Sequence, residues 1–123
     1  MSNPLKVLVV DDKRIIGDFF EFVLGYKGHE IEVVQDPMKA LETARKQEFD
    51  IAFVDIVMPE KDGVELLEEF RRVVPKLPVV MISGYSVDEK RKRAKDLGAL
   101  CLKKPFEFED IQRVIKDLLG REI

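Results

Sequence analysis

Short apolar runs that stop abruptly at polar residues recur five times along this chain, each followed by a segment of helical character. Lys6 to Val10 (KVLVV) stops at Asp11 and Asp12, and Ile31 to Val34 stops before Asp36-Pro37. Ile51 to Val54 stops at Asp55, Val79 to Ile82 at Ser83-Gly84, and Ala99 to Leu102 runs into Lys103, Lys104 and Pro105. A strand covered by helices on both faces reads as a continuous apolar run rather than as an alternation. Five such runs separated by helical segments therefore predict one α/β domain with a doubly wound parallel sheet.

The helical segments are unequal. The first carries Ile15, Ile16, Phe19, Phe20, Phe22, Val23 and Tyr26, which at 100° per residue cover an arc of about 160°. That is wider than a core stripe needs, so part of this helix is expected to meet a partner. Gly28 is expected to end it. Asp36-Pro37 supplies an N-cap with proline at the first helical position, and Ala40, Leu41 and Ala44 are then expected to point inward. Met58-Pro59 and Asp62-Gly63 punctuate the loop before a third helix marked by Leu66, Leu67, Phe70 and Val73. Ile111, Val114, Ile115 and Leu118 mark the last. The fourth has only a thin apolar stripe, Val87, Ala94 and Leu97, while Lys90, Arg91, Lys92, Arg93 and Lys95 crowd its other faces. A weak hold on the core follows, with two readings: a solvated charged face, or a movable recognition surface.

Composition narrows the partners. Lys and Arg number 21 against 24 Asp and Glu, a net charge of −3. No strongly positive field exists for direct nucleic-acid or anionic-membrane binding. Cys101 is the single cysteine, and the polar start MSNPLK lacks the apolar run of a signal peptide or membrane span, so a cytoplasmic protein is expected. Asn3 is the sole asparagine and 37% of residues are charged, a bias that heat-adapted proteins share.

In an open parallel sheet, ligands bind beyond the carboxyl ends of the strands. Asp11, Asp12, Asp55, Ser83 and Lys104 all fall at those ends. Any one aspartate alone is equally a turn former or helix cap. Three brought together repel one another unless a cation holds them, and oxygen ligands of this kind suit magnesium. An ionised aspartate can also attack phosphorus to give an acyl phosphate, with the metal and a lysine neutralising the transferred oxygens. His29, in the turn before the second strand, is expected to be a solvated loop residue.

The stretches VLVVDD at 7–12, DIVMPEKDG at 55–63, ISG at 82–84 and KPF at 104–106 resemble the receiver domain of bacterial two-component response regulators, the CheY-like family. The resemblance spans essentially the whole chain. It implies a flavodoxin-like (βα)5 fold with strand order 2-1-3-4-5, a single receiver domain over residues 1–123, and no output domain within them. It also implies that Asp55 is the phosphoacceptor, that Asp12 binds Mg2+ (or Mn2+) directly and Asp11 through water, and that the Val57 backbone carbonyl adds a ligand. Ser83 and Lys104 would contact the phosphoryl group, Lys104 rather than Lys103 being selected by the family's Lys-Pro pairing. The Lys104-Pro105 bond resembles the family's cis peptide. The implied partners are a sensor histidine kinase or phosphotransfer protein and a downstream target or output domain. One position departs from the family: many receivers carry Tyr or Phe three residues before the lysine, where this chain has Cys101, read here as a buried strand residue that packs as a small hydrophobe. Tyr85 offers a substitute aromatic contact.

Three other classes fit less well. A phosphohydrolase with a nucleophilic aspartate resembles DxDx(T/V), but Asp55 is followed by Ile56 and Val57. A receiver-like module without phosphorylation usually lacks part of the acidic set, which is complete here. A flavodoxin needs a Ser/Thr/Gly-rich phosphate loop after its first strand, and Asp11-Asp12 stands there instead.

Overall fold

A computed structural model describes residues 3–84 and 88–123. Five strands, β1 (Lys6–Val10), β2 (Glu30–Val34), β3 (Ile51–Asp55), β4 (Val79–Ser83) and β5 (Leu100–Lys103), form one sheet in the order β2-β1-β3-β4-β5. Every pairing is parallel. The implied strand order is therefore observed, with β2 starting one residue earlier than its apolar run and β5 displaced one residue toward Lys103. Parallel strands require crossovers, and these are α1 (Arg14–Gly25), α2 (Ala40–Lys46), α3 (Gly63–Val73) and α4 (Asp88–Asp96); α5 (Phe108–Leu119) follows the last strand.

Strand side chains alternate between faces, so each strand feeds two cores. Val7, Val9, Ile51, Phe53, Val80 and Ile82 pack with Phe20 and Leu24 of α1 and Ile111, Val114 and Ile115 of α5. Leu8, Val10, Ala52, Val54, Val79 and Met81 pack with Ala40 and Ala44 of α2, with Leu66, Leu67 and Phe70 of α3, and with Ala94 of α4. Burial on both faces is why β1, β3 and β4 read as continuous apolar runs, whereas the edge strand β2 carries Glu30 and Glu32 and is only partly covered.

Local signals explain several boundaries. Asp36 accepts a hydrogen bond from the Met38 backbone at 3.0 Å, and Pro37 begins a short 3-10 turn that leads into α2. Asp62 caps α3 by accepting from the Val64 backbone at 2.7 Å. Gly28 lies at φ 91°, in the left-handed region where a side chain is strained, and it reverses the chain into β2.

Three expectations need correction. His29 is half-buried, and its Nδ1 accepts the Leu5 backbone N–H at 2.9 Å, so it anchors the chain entering β1 rather than sitting free in a loop. Its pKa is lowered by burial and by Arg121 and Lys27. Val73 is 43% exposed, because it is the last residue of α3, where the helix leaves the core. Cys101 is only half-buried, since β5 is an edge strand. Tyr85 and Val87 lie outside the described residues.

The broad apolar arc of α1 divides in two. Phe20 and Leu24 are fully buried, whereas Ile15, Phe22 and Tyr26 are 72%, 74% and 90% exposed. No helix among the described residues is long and apolar enough to cross a membrane.

Candidate functional site

The sheet brings the polar strand ends together. Ligand oxygens of Asp11, Asp12 and Asp55 lie within 4.8 Å of one another. Asp11 and Asp55 are buried and Asp12 is half-buried. Asp11 extends β1, its backbone N–H bonding the Val34 carbonyl at 3.2 Å while its Oδ1 accepts from the Lys13 backbone at 2.9 Å. Asp55 ends β3, pairing in register with Ile82, and its Oδ1 accepts from the Val57 backbone at 3.3 Å.

Lys104, directly after the edge strand β5, reaches the same cluster. Its Nζ is 3.6 Å from Asp11 Oδ2 and 3.8 Å from Asp55 Oδ1. The backbone holds Lys104 here, its N–H donating to the Ser83 carbonyl at 2.8 Å; the Lys104-Pro105 bond is cis. Lys103 is exposed and pairs in register with Ser83, so of the two lysines only Lys104 contacts the carboxylates. Ser83 is fully buried at the end of β4, and Val57 is exposed at the rim. All the sequence-derived site residues thus sit at one edge of the sheet.

Two oxyanions beside one lysine, away from water, cannot all be satisfied. Asp55 is pushed up to about 6, first by burial and then by the negative charge of Asp11, with Lys104 opposing both. Asp11 is also raised, chiefly by burial. Asp11 Oδ2, Asp12 Oδ1, Asp55 Oδ2 and Ser83 Oγ are buried without a hydrogen-bond partner among the described residues. Buried polar atoms are ordinarily paired, so the orphaned carboxylate oxygens of this cluster fit a positively charged ligand. The donor set is oxygen throughout, which suits a hard divalent cation.

An apolar cleft adjoins the carboxylates, lined by Ile15, Ile16 and Phe19 of α1 with Lys104, Pro105 and Phe106. Phe106 stacks edge-on with Phe19 at a centroid distance of 5.8 Å. The sequence placed α1 on a partner face without assigning Phe106 to it. Its position directly after the Lys-Pro pair was the available signal.

Residues 7–116 match the model of the response regulator receiver domain. The chain belongs to that family. As a receiver domain of two-component response regulators it is a signalling module rather than a classical enzyme. The probable transcriptional regulatory protein TcrX of Mycobacterium tuberculosis is 30% identical over 121 residues, covering 98% of this chain and 52% of that protein. The transcriptional regulatory protein ZraR of Escherichia coli is 32% identical, covering 96% of this chain and 27% of that protein. The receiver thus spans about half, or less, of the length of these curated relatives. Among solved structures, a CheY-like receiver domain protein from Methanospirillum hungatei superposes with a TM-score of 0.90 at 28% identity, covering 96% of this chain and 95% of that one. The chemotaxis protein CheY4 of Vibrio cholerae gives 0.86 at 31% identity, covering 95% and 100%.

Proposed function

We propose that this receiver accepts a phosphoryl group on Asp55 from a sensor histidine kinase or phosphotransfer protein and thereby switches its affinity for a downstream target or output domain. The observation that carries this reading is the cluster of buried, unsatisfied oxygens on Asp11, Asp12, Asp55 and Ser83 around the Lys104 ammonium. Asp11, Asp12 and Asp55, with the Val57 carbonyl, are the residues that would hold Mg2+ (or Mn2+). When bound, that ion supplies positive charge to the phosphoryl oxygens.

The chain's own residues do the rest. An Asp55 carboxylate oxygen attacks phosphorus, a new O–P bond forms, and the N–P bond to the donor histidine breaks with its electron pair returning to the imidazole. Burial and Asp11 raise the Asp55 pKa while Lys104 opposes them, and the ionised carboxylate is the form that serves as the nucleophile. Lys104 pairs with the added negative charge, and the Ser83 hydroxyl donates to a phosphoryl oxygen. Drawing both inward repositions the chain that follows Ser83 and β5, which is how the partner-binding face changes.

Incubation with magnesium and acetyl phosphate or phosphoramidate tests the chemistry directly. Intact-protein mass is expected to rise by about 80 Da in the wild type and not in Asp55→Ala. A gain of the same size in the variant would assign the phosphoryl group elsewhere.

The donor docks on α1, where exposed Phe22 extends the apolar cleft of Ile15, Phe19, Pro105 and Phe106 beside Lys104. Phe22→Glu is expected to slow transfer from a phosphohistidine donor protein at least ~10-fold, since a buried charge at an apolar contact costs 1.4 kcal/mol or more. Labelling by acetyl phosphate is expected to stay at the wild-type rate. Unchanged transfer from the protein donor would remove Phe22 from the docking surface.

A further inference from the structure

Helix α4 is a poor candidate for apolar anchoring. Its sequence is DEKRKRAKD, and Ala94 is its only buried side chain, whereas α3 buries Val64, Leu66, Leu67 and Phe70 and α5 buries Ile111, Val114 and Ile115. Polar links to α3 take the place of that contact. Lys90 Nζ pairs with Asp62 Oδ2. One turn on, Arg93 places Nε and Nη2 at 3.2 and 3.0 Å from Glu68 Oε2. Just beyond α4, the Leu97 carbonyl accepts from Arg71 Nε at 2.6 Å, and the same guanidinium holds the Leu77 carbonyl at 2.7 Å.

Positions 62, 68 and 71 meet positions 90, 93 and 97 in the same order, as two helices that both return antiparallel to a parallel sheet must. The basic run of α4 is therefore not simply a solvated face: two of its cations are committed to α3. Asp62 is the shared residue. Its Oδ1 caps α3 while its Oδ2 takes Lys90, and it ends the loop that begins at Asp55.

We propose that a charge zipper between α3 and α4, more than the thin apolar contact of Ala94 and Leu97, fixes the position of α4, and that its first link ties α4 to the loop that follows Asp55. Loosening the zipper frees α4 while leaving the sheet and α3 intact. Partly exposed ion pairs are screened by salt, so the hold on α4 weakens as ionic strength rises. All of these contacts form without a phosphoryl group on Asp55, so unphosphorylated protein suffices to test the zipper.

The readout is amide hydrogen exchange of residues 90–97 in the full 123-residue chain, with β1 and β3 as internal references. Asp62→Asn keeps the cap, because asparagine caps as well as aspartate, and removes only the charge. It is expected to speed exchange in α4 by about 3-fold, with α3 unchanged. Glu68→Arg and Arg93→Glu are each expected to do the same, and the double reversal to return exchange to within about 2-fold of the wild type. Raising salt to 1 M is expected to accelerate α4 in the wild type and to have less effect in Asp62→Asn. If α4 exchange is insensitive to salt and to Asp62→Asn, or if the double reversal fails to rescue, apolar packing holds the helix and the zipper is wrong.

Discussion

Replacing Asp55 with asparagine is expected to stabilise the protein measured with a chelator at pH 7, by about 2–3 kcal/mol, or a rise in melting temperature of about 10 °C. The cause is the folded-state pKa of about 6 against an ordinary value of 3.8. The folded state holds a proton more tightly than the unfolded chain, so between those two pH values folding takes up protons and stability falls as pH rises. Well below the ordinary value of 3.8 the carboxyl is protonated in both states and contributes no difference, while above about pH 7 the full penalty of a buried charge beside Asp11 is present. The asparagine variant removes that penalty and retains an acceptor for the Val57 N–H. The gain over wild type is therefore expected to be small at pH 4 and complete above about pH 7. His29, lowered by burial, has the opposite slope, its stabilising bond to Leu5 being lost as pH falls; because both proteins carry it, it cancels from the difference. Urea titrations of the two proteins from pH 4 to 7.5 measure this, and a pH-independent difference would mean that the Asp55 carboxylate is not strained by its surroundings. Adding magnesium is expected to stabilise the wild type more than the variant, since a ligand stabilises the fold according to its affinity for the native state.

The strands and the residues that end them were legible because both rest on local signals: a run of apolar residues buried on two faces, broken by a charged or hydroxyl side chain. Topology then carries Asp11, Asp12, Asp55, Ser83 and Lys104 to a common edge without further instruction. What the sequence left open were features set by which surfaces meet. Asp62-Gly63 reads as loop punctuation, and nothing local shows that one Asp62 oxygen caps α3 while the other holds Lys90. The run at 90–95 reads as charge, but its division into cations paired with α3 and cations left in solvent depends on how α4 lies on α3. His29 has no signal of its own, since its partner is a backbone amide 24 residues away. The excess width of the α1 arc was visible, and the exposed positions Ile15, Phe22 and Tyr26 are the surplus it implied. Cys101 stands where many receivers carry a switch aromatic; its thiol is pushed up by burial, with Arg91 and Lys95 pulling the other way, so it is a poor nucleophile.

Gly63→Ala is expected to be among the most damaging single-methyl additions in the chain. A Cβ at this position falls 2.1 Å from the Asp55 carbonyl oxygen and 2.8 Å from Ile56 Cα, both backbone atoms that no side-chain rotation can move aside. The close approach is built in, because Gly63 N–H donates to the Ile56 carbonyl at 2.8 Å and Ile56 N–H donates to the Ile82 carbonyl at 2.9 Å. Relief must come from displacing the end of β3 or unwinding the first turn of α3, at a cost of about 3 kcal/mol. Either movement shifts Asp55 relative to Asp11 and Lys104. Labelling by acetyl phosphate in the fraction that remains folded is expected to fall by up to ~100-fold, the scale on which a displacement of about 1 Å disturbs a positioned reaction. Gly25→Ala is the matched control: it also lies in a helix, but a Cβ there has no neighbour within 4 Å. That substitution is expected to raise stability by about 0.5–1 kcal/mol, through reduced freedom of the unfolded chain and better helix propensity, and to leave labelling unchanged. Urea midpoints for the two variants should move in opposite directions; if both move upward, the contact between the α3 N-terminus and the end of β3 does not hold Asp55 in place.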